Sequence, residues 1–501
     1  LGDVYKRQIG HLGKDSPPVT RRSRGCPRLL NRVPIRAEQG IIKGKHSWVR
    51  FTSTDFFESG HVQSPYIGRP RTYQVSQLVV IIGLMNFVQI AIPFFILALL
   101  LEFCYGAFKD RQTYRLNDTV NSLHMGLLSR LIGILRLGFS AIVITWCLSL
   151  LGIEQWVATE WWHWALAFVA YDFFYYWKHR FGHEWRILWA SHVAHHQSEE
   201  FNLSTALRQT STDYIGFLFY LPMYLVGTPV EVMVSVGSLN LVYQFWVHTE
   251  HVRRLGWLDF ILVTPSNHRV HHSINADYLD KNYGGVFIIW DRLFGTFAVE
   301  SEADPCRYGI TKQLGSWNPL WANLHVWWDT LRLSLSARGI QKVLIWFKGP
   351  AWIPSNDNYL HEGIENGKKH AKFDPVVSRF DGGYCFFQLW LITGAGLLLL
   401  ENQNVLPREI VVIFFWILLA TMIVHGFILQ AERWAKAAEV VRLILLPFLV
   451  VLLGEASPEF SKGTSFLLMP LSCYVVLSLG AMTVDHLLVL RRSRVGSIKV
   501  G

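Results

Sequence analysis

VSQLVVIIGLMNFVQIAIPFFILALLLEF, residues 75 to 103, exceeds the roughly 20 apolar residues a helix needs to cross a bilayer. Eight further runs approach that length, at 131 to 152, 161 to 177, 212 to 227, 229 to 247, 384 to 400, 409 to 430, 438 to 454 and 464 to 489. They predict an all-α polytopic membrane protein of about nine transmembrane helices, because backbone inside hydrocarbon must satisfy its own hydrogen bonds. The composition agrees. Of 501 residues 51% are hydrophobic, 14% aromatic and only 17% charged, with 21 Trp and a mean hydropathy of +0.24, which is too apolar for an ordinary soluble domain.

The formal charge of +10 does not point to nucleic acid, because the basic residues sit in loops beside apolar runs, where they set topology and meet anionic headgroups. With nine spans, Lys109, Arg111, Arg115, Lys178, Arg180, Arg186, Arg208, the basic segment 248 to 383 and Arg491, Arg492 and Arg494 fall on the inner side. The other loops are almost free of Lys and Arg. Six cysteines without a CxxC spacing indicate neither a zinc-thiolate site nor a disulfide framework. Residues 1 to 70, rich in Arg and Pro and without hydrophobic periodicity, are expected to be disordered. The nine-span arrangement would place this basic head outside, against its charge, so either the head is not native sequence or one of the first three spans does not cross. Residues 71 to 383 then form the catalytic membrane domain, and 384 to 501 add transmembrane helices of unassigned role.

Histidines crowd four short stretches: WKHRFGHEW with His179 and His183, SHVAHH with His192, His195 and His196, FWVHTEH with His248 and His251, and NHRVHH with His268, His271 and His272. On a helix of 3.6 residues per turn, i, i+4 pairs and i, i+3, i+4 triplets present their rings on one face. Imidazole suits iron, copper, nickel and zinc, and eight or more rings exceed what one such ion accepts, which argues for two metals. The stretches 178 to 211 and 248 to 272 are separated by two runs joined at a GTP turn, so a down-and-up hairpin would return both to one membrane face. His248, at the end of an apolar run, is taken as a ligand; His251 is left open. The isolated His124, His163, His325, His425 and His486 are read as interfacial or hydrogen-bonded.

HxxxH, HxxHH and a later HxxHH on a multi-span chain resemble the fatty acid hydroxylase and sterol desaturase superfamily of membrane di-iron enzymes. DFFYYWKHRFGHE, HHQSEEFNLSTALRQ, YQFWVHTE, TPSNHRVHH and KNYGGVFIIWDRLFGTF, dense from about 165 to 300, are similar to its ether-lipid branch, which cleaves alkylglycerols with tetrahydrobiopterin. The resemblance implies two irons held by His179, His183, His192, His195, His196, His268, His271 and His272, with His248 as a ninth ligand. It also implies O2 and a membrane lipid as substrates. Glu184 matches a glutamate of that family associated with activity; a hydrogen-bond acceptor or a headgroup-zone carboxylate is the alternative. Asp172, two helical turns before His179, is expected to orient a ligand through its free ring N–H, or else to be a snorkelling acid. NLSTALRQ (Asn202 to Gln209) and NYGG to WDRLFG (Asn282 to Gly295) either line a pocket or cap and turn the chain.

An integral membrane enzyme is therefore expected, in the endoplasmic reticulum of a eukaryote or the inner membrane of a bacterium, with its site on the cytosolic face. The alternatives are a sterol or fatty-acyl hydroxylase or desaturase fed by an electron-transfer protein, and a metal-ion transporter. Transit sites of a transporter would lie at mid-membrane on broken spans.

Overall fold

The computed structural model describes residues 40–44, 47–51, 87–135, 139–354, 371–456 and 469–488. Contacts divide the chain into two units, Leu1–Leu78 and Val79–Gly501. In the first, β1 (Gly40–Gly44) pairs antiparallel with β2 (Ser47–Phe51), Gly40 opposite Phe51 and Gly44 opposite Ser47. Ile41, Ile42, Trp48, Val49 and Phe51 supply the β-branched and aromatic residues that favour a pleated strand. The rest of residues 1 to 70, expected to be disordered, lies outside the described residues.

Among its described residues, the regular structure of the second unit is helical apart from isolated bridges. In chain order it contains α1 (Phe87–Phe108), α2 (Leu116–Leu135), α3 (Phe139–Leu151), α4 (Trp161–Glu184), α5 (Arg186–His196) and α6 (Leu203–Leu207). A 3₁₀ turn, Gly216–Tyr220, leads into α7 (Leu221–Leu225) and α8 (Val230–Trp246). After these come α9 (Pro265–His271), α10 (Ile289–Leu293), α11 (Pro319–Ser336), α12 (Gln341–Phe347), α13 (Arg379–Asn402), α14 (Arg408–Leu429), α15 (Ala435–Ala456) and α16 (Met469–Leu488).

Among the described residues four helices, α1, α13, α14 and α16, are long and apolar enough to cross a membrane, or five if α2 and α3, bent by 47°, count as one span. The nine expected from hydropathy exceed this for local reasons. The run 212 to 227 does not make one helix: the Gly216 N–H bonds Asp213 Oδ1 at 2.8 Å to wind a tight turn, and Pro222 starts a helix of only five residues. α8 has 17 residues, about 25 Å at the helical rise, short of a hydrocarbon core of about 30 Å, and it buries Ser235, Ser238 and Asn240 against protein. The run 161 to 177 belongs to a longer helix, α4, which carries on to Glu184 and buries Asp172, His179 and His183.

Two cores position the histidine-bearing helices. Leu127, Leu128 and Leu131 of α2 interlock with Ile392 and Leu399 of α13 and with Phe415, Leu418 and Met422 of α14. On the other side Ala167 of α4 packs with Tyr220, Met223, Val232 and Val236 around the 3₁₀ turn, α7 and α8. Phe95 of α1 stacks on Phe245 of α8 at 4.0 Å between ring centroids, and α6 packs in the same cluster. At Gly426 the helix backbone meets the segment before α11, where a Cβ would lie 2.5 Å from the Trp317 carbonyl oxygen. Gly426→Ala is expected to force α14 away from residues 316 to 318 and to lower the stability of the folded chain by about 1–3 kcal/mol, read from thermal unfolding in detergent micelles.

Candidate metal centre

α4 presents His179 and His183 one turn apart and ends at Trp185, whose N–H caps the Phe181 carbonyl at 2.9 Å. Trp185 is extended (φ −114°, ψ 124°) and also starts α5, so α5 folds back beside the end of α4. Gly182 faces the fold-back, where a Cβ would touch the His192 ring at 3.7 Å. His248 follows the end of α8. Extended Thr264 and then Pro265 start α9, which carries His268 and His271, with His272 as its C-cap.

Nine of the ten boxed histidines converge, in two groups. His179, His183, His192, His196 and His271 form one; His195, His248, His268 and His272 form the other. Within each group every residue offers one nitrogen, and these nitrogens lie within 4.8 Å of one another. The boxes do not each serve one group. In α5 the i, i+4 pair His192 and His196 joins the first group while His195 joins the second; around α9, His268 and His272 join the second while His271 joins the first. The groups abut, with His196 stacked on His272 at 4.3 Å and His268 stacked on His271 at 5.2 Å between centroids. Each has an aromatic cover: the Tyr283 ring packs on His179, His183 and His271, and Phe201 packs on His248, His268 and His272.

The backbone sets the tautomers. Nδ1 of His179 lies 2.8 Å from the Tyr283 carbonyl oxygen, that of His195 2.9 Å from Arg208, that of His248 2.8 Å from Gln244, and that of His271 3.0 Å from Lys281. A carbonyl only accepts, so each Nδ1 carries the proton and each Nε2 turns a lone pair inward. Nε2 of His195 then faces Nε2 of His248 at 3.3 Å, acceptor against acceptor, and Nε2 of His271 is buried without a partner. Nε2 of His183 is likewise buried and unpartnered. Facing lone pairs without a donor repel, and a cation between them removes the conflict, so the donor set fits metal ions. Burial, reinforced by neighbouring imidazoles, holds His192, His196, His268, His271 and His272 well below the ordinary histidine pKa, and burial pushes His195 down to about 4. These six rings are therefore neutral at pH 7, the form that binds metal.

Two of the supporting carbonyls come from one loop. Asp280 and Asn282 both adopt left-handed backbone (φ 57° and 56°), a conformation that Asp and Asn tolerate better than other side chains. Between and after them, Lys281 and Tyr283 aim their carbonyls at His271 and His179. Asp291 holds the loop by accepting the Tyr283 and Gly284 N–H groups, both at 2.7 Å. None of these backbone acceptors has a side-chain signature; only the Asn-Tyr-Gly-Gly run hints at a tight loop.

Asp172 orients no histidine directly, contrary to expectation. It is fully buried, and it accepts from Asn240 Nδ2 at 2.7 Å, the Val286 N–H at 2.8 Å, and the Phe287 N–H and Trp290 Nε1 at 3.0 Å. It therefore anchors the loop that supports His179. Glu184 pairs with Arg180 one turn back at 2.7 Å and is not in either nitrogen group. His251 also lies apart, its Nε2 3.5 Å from Thr113 Oγ1 and its ring against Tyr105. Within NLSTALRQ, Asn202 caps α6, and Arg208 is buried with its guanidinium on the Ala194 carbonyl, Asn121 and Gln197. That fastens the last turn of α5 beneath its histidines.

The sequence pattern of the fatty acid hydroxylase family matches residues 164–296, the stretch that holds all nine converging histidines. Fold and site together define an oxidoreductase of the membrane-associated fatty acid hydroxylase class. The alkylglycerol monooxygenase of Danio rerio is 37% identical over 372 residues, covering 73% of this chain and 82% of that protein. The Homo sapiens alkylglycerol monooxygenase is 35% identical over 368 residues, 72% of this chain and 81% of that one. An ornithine lipid hydroxylase of Rhizobium tropici is 33% identical over 152 residues, 29% of this chain and 45% of that one. The chain belongs to the alkylglycerol monooxygenase family. No solved structure matches it.

Two outcomes follow from the geometry. Asp172→Ala orphans several buried donors at about 1–3 kcal/mol each, so a loss of about 3 kcal/mol or more is expected in detergent unfolding curves. Replacing His248 by Ala should release bound metal, whereas His251→Ala should leave the metal content of the purified chain unchanged, as measured by elemental analysis.

Proposed function

We propose that the two histidine groups hold two iron ions and that the chain is an O2-dependent monooxygenase of alkylglycerol ether lipids. The observation that carries the reading is the division of nine buried histidines into two abutting groups whose free nitrogens face one another. When bound, a reduced iron pair activates dioxygen for insertion into an unactivated C–H bond. The chain's own residues do the rest. Carbonyls of Arg208, Gln244, Lys281 and Tyr283 fix the rings, and Asp172 and Asp291 hold the loop that carries two of those carbonyls. Tyr283 and Phe201, each 1% exposed, shield the groups from water.

Hydroxylation at the carbon beside the ether oxygen consumes O2, two electrons and two protons and releases one water. The resulting hemiacetal then separates into glycerol and a fatty aldehyde. The site is assigned to the cytosolic face, of the endoplasmic reticulum in a eukaryote or of the inner membrane in a bacterium. Support for this placement is the Lys and Arg content of the loops that bear the histidines.

Tetrahydrobiopterin as electron source is supported by the family alone. An electron-transfer protein that reduces the site is the alternative electron source.

Membranes containing the chain, supplied with an alkylglycerol under air, should release fatty aldehyde, and His195→Ala or His271→Ala should abolish this together with about two bound irons per chain. Omitting tetrahydrobiopterin separates the two electron sources. Absence of ether cleavage under every reductant would remove the substrate assignment.

A further inference from the structure

α11 has three faces. Stepping about 100° per residue, Ala322, Asn323 and Thr330 are buried against the protein, with Gln197 Nε2 on the Ala322 carbonyl at 2.9 Å and the Ser211 N–H on Asn323 Oδ1 at 2.8 Å. Asp329, Arg332 and Ser336 form an exposed polar strip. Between these lies a third strip that is both apolar and exposed: Trp321, Leu324, Trp328, Leu331 and Leu335, at i, i+3, i+7, i+10 and i+14. The same spacing recurs across the next turn in Ile340, Val343 and Phe347 on α12, with Leu335 67% and Ile340 69% exposed. A helix packed on a water-exposed surface turns polar residues outward; this one turns a stripe of Trp and Leu outward beside its charges.

Its place in the fold says what covers the stripe. α11 starts at the end of the span-length helix α14: the Trp317 N–H and Ser316 Oγ both bond Oε1 of Gln430, the C-cap of α14, at 3.0 Å. The helix therefore leaves from the level at which a span ends. Exposed Arg332, Arg338, Lys342 and Lys348 border the stripe, as cations border a surface that meets phosphate headgroups. α11 and α12 both pack on α5, and Arg186 at the start of α5 donates to the Pro350 and Trp352 carbonyls just after α12, at 2.6 and 2.5 Å.

We propose that α11 and α12 lie in the plane of the bilayer surface, with Trp321 to Phe347 sunk into the headgroup and acyl boundary of an anionic leaflet, and that they seat the histidine helix α5 at that depth. This rests on the reading of α1, α13, α14 and α16 as membrane spans, and the test separates the two. The full chain, its cysteines replaced by serine, is reconstituted in phosphatidylcholine and phosphatidylserine vesicles with a nitroxide at Leu331→Cys, Leu335→Cys or Val343→Cys. Leu97→Cys on α1 is the lipid reference and Asp329→Cys the polar one. Collision with O2 should outweigh collision with a water-soluble nickel chelate at 331, 335 and 343, as at 97, and the reverse should hold at 329.

Nickel-dominated collisions at 331 and 335 with a lipid-like reading at 97 would overturn the proposal while leaving the spans intact. Suppression of both collisions there would overturn it in favour of a second copy or another protein as the cover. A water-like reading at 97 would overturn the spans and the proposal together. Benzoylphenylalanine at Leu335, in the chain with its native cysteines, gives an independent reading: photocrosslinking to phospholipid is expected, and crosslinking to protein alone contradicts it.

Discussion

Everything at the centre depends on four backbone carbonyls. By accepting hydrogen bonds from Nδ1 of His179, His195, His248 and His271, they leave four buried Nε2 atoms that can only accept, and those of His195 and His248 face each other at 3.3 Å. Such an arrangement is unfavourable as it stands and becomes favourable when a cation enters. Tightly held loops, buried acids and aromatic covers all serve to keep those carbonyls and rings in place. Folding and metal binding are thereby coupled: the geometry that repels itself is the geometry that binds.

The site was largely legible in the sequence and the scaffold less so. Ligand spacing is a local property of a helix, so the i, i+4 and i, i+3 offsets from His179 to His272 identified the converging residues directly, and the position of His248 at the end of an apolar run favoured it while leaving His251 open. How the nine divide between two groups was not legible, because it depends on the angle at which α5 meets α4 and α9. Nor were the roles of Asp172 and the 280–283 loop, since their partners are main-chain atoms that no side-chain pattern marks.

Among the described residues there are fewer span-length apolar helices than hydropathy predicts, for a related reason. Hydropathy measures apolar content and cannot see that Asp213 and Pro222 wind the 212 to 227 run into short turns, or that Ser235, Ser238 and Asn240 face protein within α8. It also missed the reverse case. The Trp and Leu stripe of α11 is diluted by Asp329 and Arg332 in any averaging window, and only the three-dimensional placement of its buried face reveals that the remaining apolar strip is turned outward.

The crossed assignment of the histidines has a mechanical side. Because His192 and His196 reach one group while His195 reaches the other, ions in both groups would hold α5 at points about 60° to 100° apart around its axis, and would hold the segment from His268 to His272 in the same way. A helix tied by a single row of ligands could still roll about that row. One tied on both flanks cannot, so a filled pair of groups acts as a rotational lock on the two short helices, and the stiffness of the centre resides in its stagger as much as in its number of ligands.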